Sequence, residues 1–246
     1  MKGLPVPTAQ LSAGPASTCA VLVSGSLYCW GENRNGWLGV TGPAAAPVLV
    51  TGLGASVVRV TTSLYDTCAV VADGSISCWG YNYSGQVGDG TSTDRTLPVT
   101  VLPAGSGAVD VSISQTHACA VATGGVWCWG SGSGLFGTAA DANRSLPALV
   151  FGLSGTAVSV SVTDHGSCAL LVSGDVQCWG SNAAGLVGTG GRSATIAPVT
   201  VLTGVATLER GKRAPVQYAT TQAGQSWWWG ARGPVASRPF PVDIAD

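Results

Sequence analysis

The chain has 246 residues, of which 9% are charged, a formal net charge of −1, 36 glycines and one methionine. So few Lys and Arg side chains argue against a nucleic-acid partner, and such weak self-repulsion favours self-association. No run is long and apolar enough to cross a bilayer as a helix, and the start, broken by Pro5, Pro7 and Pro15, shows no signal peptide.

Along the chain, Cys-Trp-Gly recurs at 29–31, 78–80, 128–130 and 178–180, and Trp-Trp-Gly stands at 228–230. A period this regular means one supersecondary unit copied five times within a single domain, residues 1–246. The copies run roughly 4–52, 53–103, 104–152, 153–203 and 204–246. The first opens with Leu4-Pro5-Val6, which reads as a remnant of a preceding fourth strand, and closes with the apolar run Pro47–Thr51. The second is the clearest: strands are predicted at Val57–Thr62, Thr67–Ala72, Ser75–Gly80 and Leu97–Leu102. First strands follow at Ala108–Ile113, Ala157–Val162 and Val205–Glu209, and fourth strands at Leu146–Phe151, Pro198–Leu202 and Phe240–Ile244. Four short strands in sequence order, joined by short turns, predict an antiparallel meander.

The turn between the second and third strands sets the register. Val23-Ser24-Gly25, Ala72-Asp73-Gly74, Val172-Ser173-Gly174 and Gln222-Ala223-Gly224 all place Gly third, as a three-residue hairpin loop requires. The third copy is one residue shorter and uses Thr123-Gly124. Counting outward from these turns, Cys19 faces Cys29, Cys68 faces Cys78, Cys119 faces Cys128 and Cys168 faces Cys178, each on a non-hydrogen-bonded site with Cα atoms about 4.5 Å apart. In the fifth copy Tyr218 and Trp228 stand at these positions, so both thiols are lost together and no odd Cys remains. The reading favours four hairpin disulfides and an oxidising compartment, with paired free thiols packed as small hydrophobes as the alternative. Zinc fits poorly, because one hairpin offers two sulfurs and a site needs four converging ligands.

After each Trp-Gly of the first four copies comes a glycine-spaced loop: Gly36-Trp37-Leu38-Gly39, Gly85-Gln86-Val87-Gly88, Gly134-Leu135-Phe136-Gly137 and Gly185-Leu186-Val187-Gly188. Together with the Cys-Ala-Val/Leu run, the hairpin Gly and the later Pro-Val strand, these residues resemble the regulator of chromosome condensation repeat. His117 matches a His that this family often places there, and Arg95, Arg144 and Arg238 recur three residues before a repeat Pro. The resemblance implies an all-β fold, a β-propeller of five four-stranded antiparallel blades, each Trp of the Trp-Gly pair wedged between blades. The best-known members of the family have seven repeats; here a closed five-bladed ring is expected, with an incomplete arc as the alternative.

Chemistry is sparse. Asp164 and His165 adjoin, but no nucleophile motif accompanies them, and no phosphate loop or metal motif is present in the sequence. No cofactor and no enzymatic activity are expected, and the cluster Arg210, Lys212, Arg213 reads as a solvated loop. In an up-down meander the connections from strand one to two and from three to four emerge on one face. That face collects Arg34, Trp37, Tyr65, Asp66, Tyr81, Tyr83, Gln115, His117, Asp164 and His165 as the expected partner-binding surface. The expected function is a non-catalytic protein-interaction module, extracellular or displayed at a cell surface. Glycan binding is the alternative, weakened because Tyr81 has no aromatic counterpart at Ser131 or Ser181. Nucleotide exchange on a small GTPase, the role of the family's namesake, is disfavoured by the sparse charge and the cysteine pairs.

Overall fold

Five meanders form five separate sheets, each in simple sequence order. The computed structural model describes residues 3–34, 36–132, 134, 137, 143–164, 166–182, 185–210, 216–231 and 237–243. The first sheet holds β1 (Thr8–Ala13), β2 (Ser17–Leu22), β3 (Leu27–Gly31) and β4 (Ala44–Leu49). The second holds β5 (Val57–Thr62), β6 (Asp66–Val71), β7 (Ile76–Gly80) and β8 (Arg95–Leu102). The third holds β9 (Ala108–Ile113), β10 (His117–Ala122), β11 (Gly125–Gly130) and β12 (Arg144–Leu149). The fourth holds β13 (Ala157–Val162), β14 (Gly166–Leu171), β15 (Val176–Gly180) and β16 (Thr195–Leu202). The fifth holds β17 (Val205–Arg210), β18 (Val216–Thr221), β19 (Ser226–Ala231) and β20 (Ser237–Asp243). Leu4-Pro5-Val6 forms no strand; the first copy's inner strand is β1, which the sequence reading had not singled out. Its composition, Thr-Ala-Gln-Leu-Ser-Ala, carries one large apolar residue and so gives little period-two signal.

The hairpins pair as the turns dictate. Gly25, Gly74, Gly174 and Gly224 sit at φ +79° to +85°, and the two-residue turn holds both Thr123 (φ 50°) and Gly124 (φ 75°) left-handed. Cys19 pairs with Cys29, Cys68 with Cys78, Cys119 with Cys128 and Cys168 with Cys178. All four pairs are disulfide-bonded, with Cα atoms 4.0–4.1 Å apart. The fourth strands begin two or three residues earlier than read, because a bulge at each Trp-Gly lets Gly80 pair with Arg95 and Gly130 with Arg144. They are outer edge strands, where the repeat prolines remove no ladder donor.

Each sheet buries both faces. One, here called proximal, looks to the preceding blade; the other, distal, looks to the following one. Cys19, Val21, Leu27 and Cys29 of the first blade pack on Val57, Val60, Ala69 and Trp79 of the second, and the same seam recurs between blades two and three, three and four, and four and five. Trp79, Trp129, Trp179 and Trp229 are fully buried wedges in these seams. The seams are also hydrogen-bonded at their inner edge. Val60 N donates to Gln10 Oε1 (2.8 Å), Thr62 N to Ser12 Oγ (3.1 Å), Val160 N to Asp110 Oδ2 (2.9 Å) and Val162 N to Ser112 Oγ (3.1 Å). Side chains of one inner strand thus satisfy edge amides of the next. The five inner strands surround a polar cleft of about 600 Å³ lined by Gln10, Ser12, Arg59, Asp110, Ser161 and Glu209.

At the inner edge Leu11 lines the cleft and is 55% exposed, whereas the residues that likewise face the Ala of strand two, Val60, Val111, Val160 and Leu208, are 2–7% exposed. Behind it Ala20 and Leu22 of blade one and Trp228 of blade five are buried, and Thr220 and Ser226 of blade five stand where blade four has Leu170 and Val176.

Candidate functional site

The glycine loops build the face above the seams. Gly39 and Gly88 are left-handed (φ +72° and +89°), and a Cβ there would lie 2.8 and 2.5 Å from the indole nitrogens of Trp79 and Trp129. Only glycine lets the loop lie on the next blade's wedge. The wedge in turn donates its indole N–H to the loop: Trp79 to the Trp37 carbonyl (3.1 Å), Trp129 to Gln86 (2.8 Å) and Trp229 to Leu186 (2.9 Å). Three of the loops are braced from inside by an Asn. Leu38 N, Val87 N and Val187 N donate to the side-chain oxygens of Asn33, Asn82 and Asn182, and the Asn82 amide also donates to the Thr91 and Thr93 carbonyls.

On this scaffold the residues expected at the partner-binding face divide into three groups. Trp37, Tyr65, Tyr81 and Tyr83 form an aromatic row over blades one and two. Ring centroids are 4.5 Å apart from Trp37 to Tyr65, 6.1 Å from Tyr65 to Tyr81, and 6.5 Å from Tyr81 to Tyr83, whose planes differ by 22°. Trp37 is buried at one end, Tyr65 and Tyr81 are half-buried, and Tyr83 is 78% exposed at the other. Arg34, next to the row in sequence, is exposed and ion-paired with Glu32.

Gln115 and Asp164 form the second group, a clasp across blades three and four. Gln115 N and Nε2 donate to the two carboxylate oxygens of Asp164 (3.0 and 3.1 Å), and Thr116 Oγ1 donates to its carbonyl (3.2 Å). His165, Lys212 and Arg213 lie outside the described residues.

Asp66 and His117 are a correction: both are buried beneath the face, as Trp37 is at its edge. They occupy the first position of strand two, where the chain turns down into the seam. His117 spans that seam, with Nε2 3.0 Å from Ser167 Oγ and Nδ1 3.3 Å from Ser114 Oγ. Asp66 accepts from Ser63 Oγ (2.9 Å), while its other oxygen has no hydrogen-bond partner among the described residues. Burial pushes its carboxyl well above the usual carboxylate range, against the lowering effect of the Ser63 hydrogen bond. Among the described residues no group of three His, Cys, Asp or Glu side chains could hold a metal ion.

A profile of the regulator of chromosome condensation (RCC1) repeat matches residues 24–70 and 73–121, and a second profile of the same repeat matches 9–36. The chain carries regulator of chromosome condensation repeats over residues 9–121. Human WBSCR16 superimposes with a TM-score of 0.85 at 19% identity, over 98% of this chain and 69% of that one. Yeast RCC1 (Prp20), solved bound to Kap60, gives 0.76 at 17% identity, over 96% of this chain and 63% of that one. The entire ectodomain of the Physcomitrella patens receptor kinase CR4 gives 0.54 at 18% identity, over 96% of this chain and 54% of that one. The chain therefore spans only 54–69% of the length of these structures. No curated protein sequence matches the chain significantly. In this repeat protein the glycine loop, wedge Trp and bracing Asn are framework, and the exposed loop side chains vary from copy to copy.

Proposed function

We propose that this five-bladed propeller is a non-catalytic protein-binding module that works outside the cell or on its surface and engages its partner through the loop face of blades one and two. One observation carries the reading: four aromatic rings in a continuous row, anchored at Trp37 by a carbonyl that accepts from both Trp79 Nε1 and Thr67 Oγ1, and open at Tyr83. Rigid Tyr and Trp side chains give large contact area at small entropic cost, the composition of an interface centre. Arg34 supplies a polar rim, and Gln115 with Asp164 extends the face over blades three and four. Asp66 and His117 serve beneath it as seam residues. The four disulfides support an oxidising setting. That yeast RCC1 (Prp20) is bound to a protein, Kap60, fits a binding role for the fold.

A photo-crosslinking side chain at position 83, compared with one at the exposed turn residue Val23 on the opposite face, tests the assignment in the native secreted or surface fraction. The expected outcome is one discrete protein adduct from position 83, lost on Tyr81→Ala, and none from position 23. Equal adducts from both positions sink the reading, and glycan-array binding abolished by Tyr83→Ala would replace it with the sugar alternative.

A further inference from the structure

Every inner strand turns two polar side chains toward the cleft, one at the register of Gln10 and one at that of Ser12. Part of this set is consumed by the fold. Gln10, Ser12, Asp110 and Ser112 accept from amides of the next inner strand, and Ser161 Oγ donates to Gln217 Oε1 (2.6 Å). The rest is left over for something else. Among the described residues, the side chains of Thr61, Ser159, Thr207 and Glu209 make no hydrogen bond or ion pair, although all four line the cleft.

Arg59 is half engaged. Among the described residues it donates only through Nη1, to Asp110 Oδ1 (2.6 Å). Asp110 is buried and is also held by the Val111 and Val160 amides (2.8 and 2.9 Å). The guanidinium is therefore fixed in place, its side chain 45% exposed and its Nε–H and Nη2–H edge without a partner. Two parallel N–H donors along one edge are what a carboxylate takes in a bidentate pair.

Charge narrows the class of ligand. Arg59 faces two carboxylates, Asp110 and Glu209, among the described residues that line the cleft, so a simple anion is repelled. A simple cation would suit Glu209 and leave the Arg59 edge bare. Glu209 belongs to blade five and Arg59 to blade two, so the open carboxylate and the open guanidinium edge stand on strands separated by a blade. Leu11 and Val158, 55% and 42% exposed, add an apolar contact to the same walls.

We infer that the central cleft binds a small zwitterion, an α-amino acid or short peptide with both ends free. Its carboxylate takes the Arg59 Nε and Nη2 edge, its ammonium group meets Glu209, and an aliphatic side chain rests on Leu11 and Val158. A volume of about 600 Å³ is that of a small-molecule site. The cleft is separate from the aromatic row, and its ligand is independent of the partner proposed there.

The test titrates leucine and alanyl-leucine into the full, oxidised chain, following the Arg59 Nε–H resonance by NMR and the affinity by calorimetry. A saturable shift is expected, and the tighter probe identifies the length that bridges the two charges. Acetylating the amine or amidating the carboxylate of that probe should weaken binding about tenfold or more. Glu209→Gln should weaken the free-amine probe by a similar factor and leave its acetylated form unaffected. Arg59→Lys, which keeps a cation beside Asp110, should weaken the free carboxylate and leave its amide unaffected. No saturable shift with either probe would overturn the inference, as would an affinity indifferent to both caps. A dependence on the caps that survives both substitutions would also overturn it, because the probe would then bind elsewhere.

Discussion

Blade five and blade four share a seam yet differ in what their hairpins carry, and the difference runs along one face. Towards blade four, the fifth blade keeps Val205, Leu208, Ala219 and the fully buried Trp229, with the indole bonded to Leu186. Away from blade four it has lost the disulfide and both aliphatic side chains. In blade one the distal side is complete, and on the proximal side Ala20 and Leu22 are buried while Leu11 opens to the cleft. The repeat signature is therefore a property of seams more than of sheets: a position reads as consensus when a neighbour packs on it.

The largest effect that would break this comparison is on the wedges. Trp129→Ala should cost about 3–5 kcal/mol, because it empties a fully buried seam and strands the Gln86 carbonyl. Trp30→Ala, where the indole is only half-buried, should cost less, about 2 kcal/mol, on the smaller area it buries. Equal costs in denaturant titrations would refute the seam account. Replacing Cys68 and Cys78 together by Ala should cost about 2–3 kcal/mol through the unfolded-state entropy of a ten-residue separation, seen as a fall in Tm that reductant reproduces in the parent. Gly88→Ala should cost about 2 kcal/mol, since it meets both a left-handed backbone and Trp129. Gly42→Ala, with φ +84° but open space around it, should cost about 1 kcal/mol from backbone strain alone.

The smallest effect is electrostatic. Between the ordinary carboxylate pKa and the raised value of Asp66, the unfolded chain has released a proton that the folded chain retains. Stability from this group therefore falls as pH rises through that window, and Asp66→Asn should flatten the fall. Asp89 runs the other way. Burial raises it, but hydrogen bonds from Thr91 and Arg95 outweigh that and hold it low, so its contribution is lost on acidification. Urea midpoints measured across pH for the two single variants separate these slopes.

The hairpins were legible because a turn of known length fixes every pair beyond it: Gly25 and the pair Thr123-Gly124 alone place Cys19 on Cys29 and Cys119 on Cys128. The loop face followed from meander topology. What was not legible depends on contacts between copies. Asp66 and His117 sit at the mouth of a strand, and whether such a residue points up to solvent or down into a seam is decided by the neighbouring blade's Ser167 or by the loop above. Closure was not legible for the same reason: period and blade number say nothing of the angle between sheets. Nor was β1, which has too few large apolar residues to stand out.

All four disulfides lie within single hairpins, and none crosses from one sheet to another. The covalent reinforcement is thus local, like stitching inside each page of a book whose binding is left unglued. Tension along the chain would peel whole blades away one after another, each one of the first four holding its hairpin shut after its neighbours have gone.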